Sequence, residues 1–244
     1  MSHEAMRAYP GFSSSAGRWL GLFPYNAEKA MQEPLLGLRD LPNGNQMGIY
    51  NAEISAGSLM LPESRRIARL LLTGPSPEQW LDALKLDNLL QKRTPATARR
   101  LAQLIRKRLE TLEAEGLTLI ATGSHEVATQ LLFAAAIKHS RIFADFVLDV
   151  YAGNLRRLEQ NLSPGKEWEG FLAECVQRDP ELAKLSDSTK AKVLQVIIRV
   201  LAEAHYLDST RTLRLTPPHL NPDVVSYLER HGETSVLAIM DMTR

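Results

Sequence analysis

Between Asn88 and Leu109 the chain carries seven cations, Lys92, Arg93, Arg99, Arg100, Arg106, Lys107 and Arg108, and not one Asp or Glu. Guanidinium and ammonium groups gathered this densely bind oxyanions, and phosphates above all, because each N–H donates a charge-assisted hydrogen bond. Residues 60–110 hold eleven Lys/Arg against five Asp/Glu, a local net of +6, while the whole chain is only +1, so the remainder sits near −5. A uniformly basic protein can owe its charge to solubility. A basic stretch on an otherwise acidic body points instead to a polyanionic partner on one side.

The element that must position these cations is a helix. Thr94 followed by Pro95 is an N-cap and first-turn proline, and the pattern predicts a helix running to about Glu115 and ending at Gly116. Leu101, Leu104, Ile105, Leu109 and Leu112 form its apolar stripe. At 100° per residue Arg99 and Arg106 share one azimuth and Arg100 and Lys107 another, both well away from the leucines. Members of each row stand roughly 10 Å apart along the axis, close to the ~12 Å width of a DNA major groove. Arg108 falls beside the stripe, so its stem is expected on the core with its head reaching out. Gln103 is placed elsewhere on the wheel. With no amide beside the arginine rows, the pattern favours sequence-tolerant backbone binding over base readout. Two other uses of the rows stay open: a plain solvated face, and an acidic protein partner. A second basic surface is expected further on, from Lys190, Lys192 and Arg199 on a helix and Arg211 and Arg214 beyond it.

Residues that could catalyse are not arranged to do so. The six histidines fall in no ligand spacing; His125 and Glu126 begin like a zinc-binding HExxH helix, but position 129 is Thr. Asp145 and Asp149 lie one turn apart and could share a divalent ion, though surface carboxylates are the simpler expectation. Ser13 to Ser15 stand in a Gly/Pro/Ser-rich stretch, and Cys175 has no partner histidine nearby. A non-enzymatic protein is expected, without metal or cofactor.

Beyond the basic helix, an arm over residues 1–45 shows no persistent helical period, and its cluster Trp19, Leu20, Leu22 and Phe23 is expected to dock on its own domain or on a partner. From 46 onward the pattern is helical. Ile67, Leu70 and Leu71 precede a stop at Gly74 and Pro75; Ser76 and Pro77 open a helix bearing Trp80, Leu81 and Leu84; Ser124 caps one that is apolar on nearly every side from Val127 to Ile137. Arg141 to Leu162 continues with Ile142, Phe146 and Val150 on one row and Phe143, Val147 and Tyr151 on the next. Ser163, Pro164 and Gly165 mark an internal boundary, giving parts 46–163 and 164–244. The second part reads as a helix with Trp168 and Phe171, a helix from Ser186 or Ser188 to about His205, a β-hairpin around Thr212 to Leu215, and a last helix from Asn221 and Pro222 that Gly232 ends. Helix followed by hairpin suggests a winged helix.

With 44% hydrophobic residues the 244-residue chain can bury a proper core. Its longest apolar run, Leu131 to Ile137, is far short of the roughly 20 residues that cross a bilayer. A single cysteine and no secretory pattern at the N-terminus point to the cytoplasm.

Tyr50, Ala52 and Gly57; Pro62, Glu63 and Ala68 ahead of Leu70 to Leu72; Asn88, Leu89 and Leu90; Thr97; and Arg108 with Leu109 together resemble the BrxA family of BREX phage-defence systems. The likeness continues through Lys138 and His139, Phe143 and Phe146, and Leu201 to Leu207, covering most of 46–216. The resemblance implies a non-enzymatic cytoplasmic component with an all-α, NusB-like fold, an ability to bind DNA, and other BREX proteins as partners. RNA, which a NusB-like fold would allow, and a pure assembly role are the rival expectations. The resemblance carries no motif of functional residues, so the candidate contacts rest on charge alone.

Overall fold

The computed structural model describes residues 49–241, and the arm with Trp19, Leu20, Leu22 and Phe23 lies outside the described residues. Helix starts follow the local chemistry of the sequence. Helix α1, Leu61–Leu72, carries Pro62 in its first turn and stops before Gly74, whose φ of +61° suits glycine. Helix α2, Pro77–Lys85, has a full capping box: the Ser76 hydroxyl accepts from Gln79 N and the Gln79 amide oxygen accepts from Ser76 N. Helix α3, Pro95–Leu109, starts where the Thr94 hydroxyl accepts from Thr97 N. Ser124 does the same for α5, His125–His139, through Val127 N.

Helix α3 is shorter than its apolar stripe suggests. It ends at Leu109, and α4, Ala114–Thr122, begins after a turn, with Gly116 inside it rather than beyond it. Tertiary packing explains the glycine. A Cβ at position 116 would lie 2.6 Å from the Tyr227 hydroxyl, and that hydroxyl accepts from Glu113 N, so α4 starts where it does because a distant tyrosine seats against it.

Helix α5 is the axis of the molecule: every residue from Val127 to Ile137 is buried. Lys138 at its end holds the Thr111 carbonyl and the Glu233 carboxylate. The long helical stretch that follows is not uniform. It runs as α6, Arg141–Asp145, then a π-helical stretch, Phe146–Tyr151, then α7, Ala152–Arg156. The wider winding lets Phe146, Val147, Val150 and Tyr151 all turn inward.

Ser163 precedes α8, Pro164–Arg178, which lays Trp168 and Phe171 on Phe146. Helix α9, Asp187–Glu203, is capped by Ser186. Phe133 of α5 stacks on Tyr206 at 4.3 Å, and buried tyrosine hydroxyls find carbonyls, Tyr151 donating to Tyr206 O and Tyr206 to Met240 O. One hydrophobic core runs from Tyr50 to Met240 through both halves of the sequence.

The expected β-hairpin is not seen, and with it goes the winged helix. Leu207 and Leu215 make one isolated antiparallel bridge, and Arg214 makes another with Asn161. Two features prevent a ladder. Leu213 sits at φ +55°, which breaks the two-residue alternation, and the Asp208 carboxylate collects Ser209 N, Thr212 Oγ1 and Arg214 N into a tight turn. Nor does the chain stop helix-building at Gly232. Helix α10, Pro222–Arg230, is followed by α11, Thr234–Met240, which puts Val236, Ile239 and Met240 in the core.

Candidate nucleic-acid interface

The cations of the basic stretch have separate fates. Arg108 is buried, 3% exposed, and does not reach out as its place on the wheel suggests. Its Nη1 donates to Ser58 O at 2.6 Å and its Nη2 to Gly57 O at 2.9 Å, pinning the loop before α1 onto α3. Burial pulls its pKa down to about 10, partly opposed by Glu203. Acids missing from the local sequence arrive from elsewhere. Lys92 pairs with Glu63 of α1 at 2.7 Å, and Lys107 with Glu53 of the 3₁₀ turn Glu53–Ala56 at 2.7 Å. Arg106 pairs with Glu110 at 2.6 Å, at the end of its own helix.

Cations on α1 are also committed. Arg65 donates to Gly123 O and Arg69 to Ala121 O, which satisfies orphan carbonyls at the C-terminus of α4, and Arg65 also reaches Ser124 O at the start of α5. Arg66 donates to Leu89 O and Gln91 Oε1. Arg93, Arg99 and Arg100 are exposed and, among the described residues, make no ion pair or hydrogen bond. These three, Arg93 in the loop ahead of α3 and Arg99 and Arg100 on the helix, are the guanidinium groups that the basic stretch leaves for something else. An unpaired arginine keeps its five donors and its charge for an incoming oxyanion.

On the α2 side, Arg99 and Arg106 face a groove of about 410 Å³, lined also by Trp80, Leu81, Leu84, Gln103, Lys107 and Glu110. The Arg106 guanidinium lies over the Trp80 indole, 4.8 Å from its centroid. Gln103 therefore belongs to the arginine face, and its expected place elsewhere on the wheel is corrected. It stands one turn after Arg99 and three residues before Arg106, near enough in azimuth for all three to line one groove. From the sequence Trp80 is legible only as a residue of the helix that Ser76 and Pro77 open.

A second cluster ties the base of α3 to α5. His139 Nε2 lies 3.1 Å from Glu53, which also holds Lys107. Burial, then the neighbouring Arg108 and Lys107, hold the His139 pKa below its ordinary value despite Glu53. The neutral ring donates from Nε2, and its Nδ1 is buried without a partner.

The expected second basic surface is less concentrated. Lys190 pairs with Asp187 at 3.4 Å, Lys192 donates to Gln195, and Arg214 lies 3.7 Å from Asp208. Arg199 and Arg211 are exposed, but with the hairpin absent Arg211 and Arg214 stand on a turn and not on a wing. Asp145 is no surface acid. It is buried and accepts from Tyr50 Oη at 2.6 Å, Arg141 Nε at 2.8 Å and Arg178 Nη1 at 3.3 Å, while Asp149 accepts from Arg178 Nη2. Two arginines neutralise this site, and no cluster of His, Cys, Asp or Glu suited to a metal occurs among the described residues. Burial pushes the Cys175 thiol up to about 12, so the thiolate that nucleophilic chemistry requires is not formed near neutrality. No helix among the described residues is long and apolar enough to cross a membrane.

The sequence model of the BrxA family matches residues 48–232. The chain belongs to the BrxA family. Its similarity to the BREX protein BrxA of Paramagnetospirillum magneticum (strain ATCC 700264 / AMB-1) is 40% identity over 80% of this chain and 97% of that one. The BREX protein BrxA of Escherichia coli O9:H4 (strain HS) is 39% identical over 79% of this chain and 90% of its own length. That of Bacillus cereus (strain H3081.97) is 25% identical over 79% and 96%. A crystal structure of an uncharacterized protein from Magnetospirillum magneticum superposes with a TM-score of 0.74 at 38% identity, covering 79% of this chain and 98% of that one. The matched region of the BrxA family spans the elements that build the α2–α3 groove and the buried Arg108 clamp.

Proposed function

We propose that this BrxA-family chain is a non-enzymatic, cytoplasmic component of a BREX phage-defence system that binds double-stranded DNA through the outer face of α3. The observation that carries the reading is the set of exposed arginines without partners among the described residues, Arg93 just ahead of α3 and Arg99 and Arg100 on it, where the other cations of the stretch are each committed to an acid or a carbonyl. A helix face evolved only for solubility would mix acids with its bases at i,i+4 spacing. Here the one such pair is Arg106–Glu110, at the end of the row. DNA contact is then mainly to phosphates, with Lys92, Arg106 and Lys107 adding charge close by. Lys190, Lys192, Arg211 and Arg214 form a secondary surface of lower charge availability.

Membership of a BREX assembly brings other BREX proteins as partners, with this chain placing them on DNA and performing no chemistry itself. The reading includes a NusB-like arrangement of the helices, and with it RNA as the rival ligand. Reversing Arg93, Arg99 and Arg100 together to Glu should abolish retention of a labelled duplex while leaving the circular dichroism spectrum unchanged. Duplex binding that survives the reversal refutes the assignment. Structured RNA that displaces duplex DNA at equimolar concentration would transfer the same face to RNA.

A further inference from the structure

The α2–α3 groove contains more than phosphate binding requires. Cations suffice to hold phosphates, yet here a guanidinium lies over an indole, and an amide, Gln103, and a carboxylate, Glu110, line the same groove. We infer that the groove takes an unstacked nucleobase of the nucleic acid whose phosphates α3 holds, so that the protein prefers DNA with an unpaired base to a fully paired duplex. The inference rests on the phosphate reading above and deepens it.

Each element of the groove suits a base. The Trp80–Arg106 pair sets a guanidinium over an indole, and bases stack on aromatic rings and on guanidinium planes alike. Arg106 is 44% exposed, so its guanidinium leaves surface for a second planar group. Gln103 supplies one acceptor and two donors in a plane, the complement of a base edge. Glu110 uses one carboxylate oxygen on Arg106, and carboxylates accept from exocyclic amino groups of bases. At about 410 Å³ the groove lies within the range of small-molecule sites and has room for one base. Arg99 lines the groove and Arg100 neighbours it in sequence, so a strand whose phosphates sit on these two guanidinium groups brings its adjacent base to the platform.

The test compares two fluorescein-labelled duplexes of identical sequence, one fully paired and one with a single bulged adenine, by anisotropy at fixed salt. Wild type should bind the bulged duplex about tenfold more tightly, the scale of one base–aromatic stack. Trp80→Ala should erase that preference with little change on the paired duplex, and Trp80→Phe should retain part of it. Arg99→Ala with Arg100→Ala should weaken both substrates alike. Equal binding of the two duplexes by wild type overturns the base site and leaves the phosphate reading standing, whereas absence of binding to either at low salt overturns both. A preference that persists in Trp80→Ala, with its circular dichroism unchanged, also overturns the base site.

Discussion

Arg108 and Arg100 lie on one helix and carry the same charge, yet the structure gives them opposite roles, and replacing each by Met separates the two. Arg108 makes two charge-assisted hydrogen bonds to the loop carbonyls of Ser58 and Gly57. Such bonds contribute about 1.5–3 kcal/mol each, so together roughly 3–6 kcal/mol. Against this, burial draws the Arg108 pKa down to about 10, partly opposed by Glu203, so the net gain lies toward the lower end of that range. Met fills most of the space but leaves two carbonyls unpaired, so Arg108→Met should lose about 3 kcal/mol. Arg100 is exposed and unpaired, and Arg100→Met should change stability by less than about 0.5 kcal/mol. Urea unfolding followed by circular dichroism measures both; in a heating experiment the first should lower Tm by roughly 6–12 °C. Binding should show the reverse order, with Arg100→Met weakening DNA retention and Arg108→Met, assayed well below its Tm, sparing it. A loss below about 1 kcal/mol for Arg108→Met, or a larger loss for Arg100→Met, would refute the assignment of clamp and contact.

Two further outcomes follow from particular contacts. The half-buried His139 takes up its proton less readily when folded than when unfolded, so the unfolded chain binds more protons and stability falls as pH drops below about 6.5; His139→Gln should flatten the fall of the urea midpoint below that pH. Glu53 has its pKa lowered below 4.5 with Lys107 and His139 as the stabilising partners, so its contribution disappears only at lower pH and stays distinguishable. Gly116→Ala places a Cβ 2.6 Å from the Tyr227 hydroxyl, which should break the Tyr227–Glu113 contact and cost about 1–3 kcal/mol by thermal unfolding; an unchanged Tm would show that Tyr227 yields freely.

How much of this was legible in the sequence depends on the range of the forces involved. Caps at Ser76, Thr94, Ser124, Ser186 and Asn221 act within three residues, and each stands where the sequence indicates. Long apolar patterns likewise located α5 as the central helix. Glycines misled, because a stop and a close approach have the same signature: Gly116 is demanded by Tyr227 from another helix, and Gly232 ends α10 without ending the helical chain. The hairpin failed on Leu213, whose positive φ has no sequence signal, and on the turn that the Asp208 carboxylate gathers. In the candidate site the arginine rows were visible, but Glu53 and Glu63 could not be matched to Lys107 and Lys92 across the chain, nor Arg108 to its carbonyls. Pairing removed four of the seven cations and left the three now assigned. Trp80 joined the site only through the packing of α2 on α3.

The central claim, that unpaired arginines of α3 hold DNA phosphates, is tested most directly by the salt dependence of duplex binding. Anisotropy of a random-sequence duplex across a salt series, for wild type and for Arg99→Ala with Arg100→Ala, gives the slope of log affinity against log salt. Loss of two phosphate contacts should make that slope shallower by roughly two units, with the fold unchanged by circular dichroism. Equal slopes for the two proteins, or no binding by wild type at low salt, would contradict the account.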